Sequence, residues 1–134
     1  LSDIGIAHRY VPGLVRTEIR PAHARGIGAT RRVYRAKGEG LDETVVDWVD
    51  GHGFLLRLHK PDGTAPAPFA AASFRYRLDD VPGHAGHARM TIALHYEPRW
   101  GAAGRLLDRV LLRRAVAKVQ QQLAERIRAY YESA

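Results

Sequence analysis

From about Trp100 to Ser133 apolar residues recur at helical spacing, whereas most of the preceding chain alternates at strand spacing. Leu112, Val116, Val119, Leu123, Ile127 and Tyr130 follow one another at steps of three and four, which places them on one helix face. Leu106, Leu107, Val110 and Leu111 thicken that stripe near its start, and Arg113, Lys118, Gln121, Gln122, Glu125 and Arg128 fall largely elsewhere. At 1.5 Å per residue such a helix spans roughly 50 Å. Its stripe must be buried, and a curved antiparallel sheet wrapped around it is the apolar surface this chain can offer.

The strand pattern is regular. Ser2 to Tyr10 reads as a short helix with Ser2 or Asp3 as its N-cap, closed by Pro12 and Gly13. Leu14 to Arg20 alternates as a strand, residues 21–26 form a loop, and Ile27 to Arg35 is a second strand ending in a turn at residues 37–40. Leu41 to Val49 and Phe54 to His59 flank an Asp50-Gly51 turn, a strong hairpin signal. A proline-rich loop at 64–68 leads into Phe69 to Leu78, residues 79–83 connect, and Ala88 to Tyr96 alternates with Met90, Ile92, Leu94 and Tyr96 on one side. About six strands at hairpin spacing predict a meander within one domain over residues 1–134.

Composition narrows the function classes. The 134 residues are 46% hydrophobic and 26% charged, as in ordinary globular chains, and no apolar run approaches the roughly 18 residues of a membrane span. The absence of cysteine excludes disulfides, thiolate nucleophiles and Cys-ligated metals, and is compatible with a cytoplasmic location. The first residues, Leu1-Ser2-Asp3-Ile4, do not have the form of a signal peptide. The formal charge of +7 comes from dispersed arginines rather than a block, which reads as a solvated surface and does not point to nucleic acid. Of the seven histidines, His84 and His87 bracket a Gly-rich hairpin with His95 near in sequence, but without acidic or Cys partners at ligand spacing no metal site is expected. Ser73 lacks a nucleophile-elbow motif, and Gly26-x-Gly28 leads into a strand, where a phosphate-binding loop would lead into a helix.

Three segments carry a resemblance. These are Tyr10-Val11-Pro12-Gly13-Leu14-Val15, the Gly-x-Gly-x-x-Arg pattern of Gly26, Gly28 and Arg31, and the Glu-containing strand Leu41-Asp42-Glu43-Thr44-Val45-Val46-Asp47-Trp48. With the element order they resemble the START-like, helix-grip (SRPBCC) superfamily, and within it the bacterial polyketide cyclase/dehydrase and lipid-transport group. The resemblance implies an α+β fold in which a curved antiparallel sheet grips a long C-terminal helix, with short N-terminal helices. It also implies a first strand, expected upstream of Leu1.

Such proteins enclose an apolar cavity between sheet and helix, for which Leu56, Phe69, Phe74, Tyr76, Met90, Ile92, Leu94, Leu112, Val116 and Val119 are the candidate lining. For any single one of them plain core packing is the better reading, since aliphatic stripes are normally packing. Arg31 and Glu43 form a sharper pair: in the family the matching glutamate often faces the cavity, where Arg31 would compensate its charge and both could meet a ligand's polar end. An ion pair on the outer face of the sheet is the alternative. Strict alternation with Glu43 inward sends Val45 and Asp47 inward and Trp48 outward, unless a bulge intervenes.

The resulting expectation is a carrier or sensor of a small hydrophobic ligand of lipid, polyketide or quinone type. No catalytic residue and no cofactor is assigned. A polyketide aromatase/cyclase-like enzyme is the alternative. A third reading is a module whose Arg-bearing outer helix face meets an acidic protein, a ribosome or a membrane surface. The expected state is a monomer or homodimer.

Overall fold

The structure, a computed structural model, describes residues 3–20, 25–38 and 40–133. The Ser2 cap, most of the loop at 21–26, and Glu39 of the 37–40 turn lie outside the described residues. A 3-10 helix, Ile4–Arg9, comes first, and the backbone N–H of Gly5 donates to the Asp3 carboxylate at its start (2.9 Å). Six strands come next: β1 (Leu14–Arg20), β2 (Thr30–Arg35), β3 (Leu41–Val49), β4 (Gly53–His59), β5 (Phe69–Asp80) and β6 (Ala88–Pro98). They pair antiparallel in chain order, so that among the described residues β1 and β6 are the edges of one sheet. The expected second strand is shorter than the Ile27–Arg35 reading, because Gly26 and Gly28 adopt φ of 85° and 88°, outside the extended region.

Register places one set of side chains on the concave face. Across the middle run Val45, Leu56, Phe74 and Leu94, and beside them Trp48, Phe54, Tyr76 and Ile92. Val45 faces Leu56 and Asp47 faces Leu55, so Val46 is an extra residue in β3. This bulge resolves the conflict left by alternation. Glu43 and Val45 stay inward, Asp47 turns outward to accept from Arg75 (2.5 Å), and Trp48 returns inward to stack on Phe54 at 5.5 Å.

The core gathers Ile4, Ala7 and Tyr10 of the first segment, Val33, Val45, Phe54, Leu56 and Tyr76 of the sheet, and Leu123 and Ile127 of the last helix. The convex face carries charge ladders. Arg32 donates twice to Asp42 (2.7 and 3.0 Å), the Tyr34 hydroxyl donates to Glu18 (2.9 Å), and the Arg16 guanidinium lies 4.1 Å from the Tyr34 ring centre.

The C-terminal helix is not one straight rod. It comprises α1 (Gly101–Leu107), a π-helical turn (Asp108–Leu112) and α2 (Arg113–Glu132). Gly104, Asp108, Leu112 and Val116 face the sheet at steps of four. In a straight α-helix each such step drifts by about 40° at 3.6 residues per turn. The wider π turn absorbs that drift and keeps the stripe aimed at the sheet. At the junction with β6, a Cβ added at Gly104 would stand 1.6 Å from the Arg99 carbonyl oxygen, so the helix start rests directly on backbone.

Gly104→Ala is therefore expected to lower stability by about 2 kcal/mol or more through overpacking, measured by chemical denaturation. The Arg32–Asp42 pair gives a pH signature. Arg32 beside Asp42 holds its carboxyl below the usual carboxylate range. A group depressed in the folded state stabilises the fold above its unfolded pKa of about 4, and that contribution is lost as pH falls through the folded value. Asp42→Asn should thus be less stable than the parent at pH 7, and the two denaturation midpoints should converge in acid.

Candidate ligand cleft

Two adjoining hollows open where the β3–β4 and β5–β6 hairpins turn, and they share Leu78. The larger, about 750 Å³, lies between the sheet and the last helix. Leu78, Ala88 and Met90 of β5 and β6 form one wall, and Ala124 and Ile127 of α2 form the other. Val81, His84 and His87 of the hairpin, with Arg128, Tyr131 and Glu132 of α2, make its rim. The smaller, about 290 Å³, is bounded by Trp48, Phe54 and Tyr76, with Arg25 and the β3–β4 turn across from them. Arg25 pairs with Asp50 and lies 5.7 Å from the Trp48 ring centre.

Local sequence builds the mouth. Two successive turns, His84 N–H to Val81 O and His87 N–H to His84 O (both 3.1 Å), fold the hairpin tip. They require the left-handed angles that Gly83 and Gly86 supply, φ 76° and 80°. The two histidine rings meet edge to face, centroids 6.1 Å apart, on one side of the opening. Opposite them Arg128 donates to Glu132 one helical turn on (2.8 Å). Among the described residues no group of three or more His, Asp and Glu side chains gathers as metal ligands would.

Behind the hollows sits a buried polar cluster. Arg31, 1% exposed, donates through Nε to Glu43 at 2.5 Å and through Nη1 to the Ile4 carbonyl at 2.9 Å. Tyr10 and Tyr76 flank it. Burial raises both phenol pKa values, partly offset by the Arg31 charge, so both hydroxyls stay protonated at neutral pH. Burial works against the charged guanidinium, but the Glu43 carboxylate beside it more than compensates, and the Arg31 pKa is raised. Among the described residues no buried side-chain nitrogen or oxygen lacks a hydrogen-bond partner. The pair thus faces inward, not outward, and its donors are committed to the protein.

A second polar contact fixes the other end of the helix. Asp108, buried in the π turn, accepts from the Tyr96 hydroxyl of β6 and from Arg113 Nε (3.3 Å). Burial and the Asp108 carboxylate raise the Tyr96 pKa.

The candidate lining residues separate into groups. Met90 is on the wall of the larger hollow and Tyr76 on that of the smaller. Leu56 is fully buried in the core, while Phe74 and Ile92 pack against that core half-buried. Leu94, Leu112 and Val116 are half-buried, and Phe69 packs on Tyr96 (5.3 Å) at the opposite end of β5 from the hollows. Val119, placed on the stripe by its spacing, is 46% exposed, because Val116, Gln120 and Leu123 take the sheet-facing positions around it. Leu78, Ala88, Ala124 and Ile127 were not among the candidates. Their signal was present: Leu78 and Met90 are cross-strand partners, and Ile127 lies on the helix stripe.

Comparison with known proteins gives the family and the fold. Residues 1–132 match the family profile described as polyketide cyclase / dehydrase and lipid transport. None of the curated proteins matches the chain significantly. A crystal structure of Ara h 8.0201, of the Bet v 1-like fold, superposes with a TM-score of 0.67 at 16% identity, covering 92% of this chain and 78% of that one. That likeness shows the fold.

The buried pair invites a double-mutant test. Arg31→Met should cost about 3–5 kcal/mol by leaving the Glu43 carboxylate buried without its partner. Adding Glu43→Leu should recover a substantial part of that loss, read as the coupling between the two changes in urea denaturation.

Proposed function

The chain belongs to the polyketide cyclase/dehydrase and lipid-transport family, and from that premise we propose that it holds a small hydrophobic molecule in the larger hollow. One observation carries this reading. The space between sheet and helix is open at the hairpin end, with an apolar interior of Leu78, Met90, Ala88, Ala124 and Ile127 and its polar groups at the rim. Apolar walls with a few polar groups at one end suit an elongated or ring-shaped ligand with a single polar terminus. A ligand hiding about 200 Å² of apolar surface gains about 5 kcal/mol before the cost of association. The Arg128 guanidinium and the His84 and His87 rings are the groups that would meet its polar end.

Arg31 and Glu43 support the site from behind. Their hydrogen bonds hold the sheet to the first helical segment, and Tyr76, on the wall of the smaller hollow, is packed beside them. The reading assigns no chemical step to these residues, so it is a carrier or sensor reading.

The test is direct. Native mass spectrometry and solvent extraction of the purified protein should find a co-purifying apolar molecule. A neutral apolar fluorescent probe such as N-phenyl-1-naphthylamine should bind the parent, and Ala124→Trp, which projects an indole into the hollow, should weaken that binding at least tenfold, about 1.4 kcal/mol. Unchanged probe affinity in a folded Ala124→Trp protein would overturn the assignment.

A further inference from the structure

The two halves of the C-terminal helix treat their apolar residues differently. In α2, Leu123 and Ile127 are 2% exposed. Around α1 and the π turn the pattern reverses: Trp100, Leu106 and Leu111 are 58%, 63% and 61% exposed, and Leu107 is 38% exposed. Leu107 and Leu111 lie one turn apart on one flank, while Leu106 points away from the buried Gly104 and Asp108. Trp100 holds the left-handed conformation, φ 69°, that begins the helix. Large apolar side chains grouped in the open mark an interaction surface.

The charge around them has one sign. Arg105, Arg109, Arg113, Arg114 and Lys118 are all exposed. From Trp100 to Ala124 the sequence holds a single acid, Asp108, and its buried carboxylate is occupied by Tyr96 and Arg113. The positive field of this segment is therefore not neutralised locally.

We propose that this segment, Trp100 to Lys118, is a docking face for an anionic lipid surface. Charge alone would also attract an RNA or an acidic protein; the membrane is favoured because three exposed leucines call for an apolar phase beside the anionic one, with Trp100 at its boundary. A bilayer interface uses both features. Tryptophan settles at headgroup depth, the leucines enter the acyl boundary, and the cations meet anionic headgroups. The contact is superficial, since among the described residues no helix is long and apolar enough to cross a membrane. Among the described residues, none from Trp100 to Lys118 lines the larger hollow, whose helix wall begins at Ala124, so the face does not depend on the ligand assignment.

The experiment is sedimentation of the whole chain with vesicles of phosphatidylcholine alone or with about 30% phosphatidylglycerol, at low and high salt. Binding is expected with the anionic vesicles, and should weaken as salt rises. A blue shift of tryptophan fluorescence should accompany it and be lost in Trp100→Phe, which retains Trp48. Leu106→Ser/Leu111→Ser and Arg109→Glu/Arg114→Glu should each reduce partitioning at least fivefold with the helical circular dichroism of the parent. Ala124→Trp should bind vesicles as the parent does, which separates this face from the ligand hollow. Three results would overturn the proposal: equal behaviour with neutral and anionic vesicles, full binding by the serine variant, or binding of an RNA oligonucleotide with none to vesicles.

Discussion

The fold turns on one guanidinium. Arg31 reaches from β2 to Glu43 on β3 and to the Ile4 carbonyl of the first helical segment, so three pieces of chain are tied at a point sealed from water. A charge in that position is tolerated because its hydrogen bonds are complete. With one partner missing, the desolvation cost would stand uncompensated. Such a pair specifies more than it stabilises. Only one register of β2 on β3 brings Arg31 opposite Glu43. Slipping that register by a single residue would put Arg31 and Glu43 on opposite faces of the sheet.

That register also decides where empty space can exist. With Glu43 and Val45 inward, the Val46 bulge brings Trp48 back to the concave face, and Trp48, Phe54, Tyr76 and Phe74 form a run of neighbouring rings. The aromatics, with Leu56 and Val45, fill the middle of the grip. The remaining open volume is displaced to the hairpin end, where two small residues, Ala88 and Ala124, line it together with Leu78 and Met90. Large rings in the middle strands and alanines at the end are a sequence-level cause for a cavity that is open at one end.

Much of this architecture was legible from periodicity, because both periods are strong here. The strands alternate over six or more residues, and the helix stripe recurs from Leu106 to Tyr130. The inward pair was harder to read. Arg31 and Glu43 sit in alternating strands, and alternation says which residues share a face without saying which face is buried. The bulge left no local mark either: Val45-Val46 reads as two ordinary strand residues, and the extra residue exists only relative to the partner strand. Val119 illustrates the converse limit. Its spacing fits the stripe, but Val116, Gln120 and Leu123 take the sheet-facing positions around it, and steps of three and four alone do not say which of two neighbouring positions turns inward. The hollow itself was located too centrally, since a list of apolar inward residues contains the ones that pack and the ones that do not.

The π turn separates two demands on one helix. Its C-terminal half must close the core, which it does with Leu123 and Ile127 and with Tyr130 against Tyr10 (ring centroids 6.3 Å apart). Its N-terminal half cannot be gripped in the same way, because it passes over β6, an edge of the sheet among the described residues. What holds it there is polar and local: Asp108 on Tyr96, and a glycine resting on the Arg99 carbonyl. A hydrogen bond from a strand to a widened turn fixes position without consuming apolar surface. The leucines that would otherwise be needed for packing are therefore left outward, beside arginines whose charge no neighbouring acid cancels. Anchoring by one buried carboxylate is thus the physical condition that lets this half of the helix keep an apolar, cationic surface in the open.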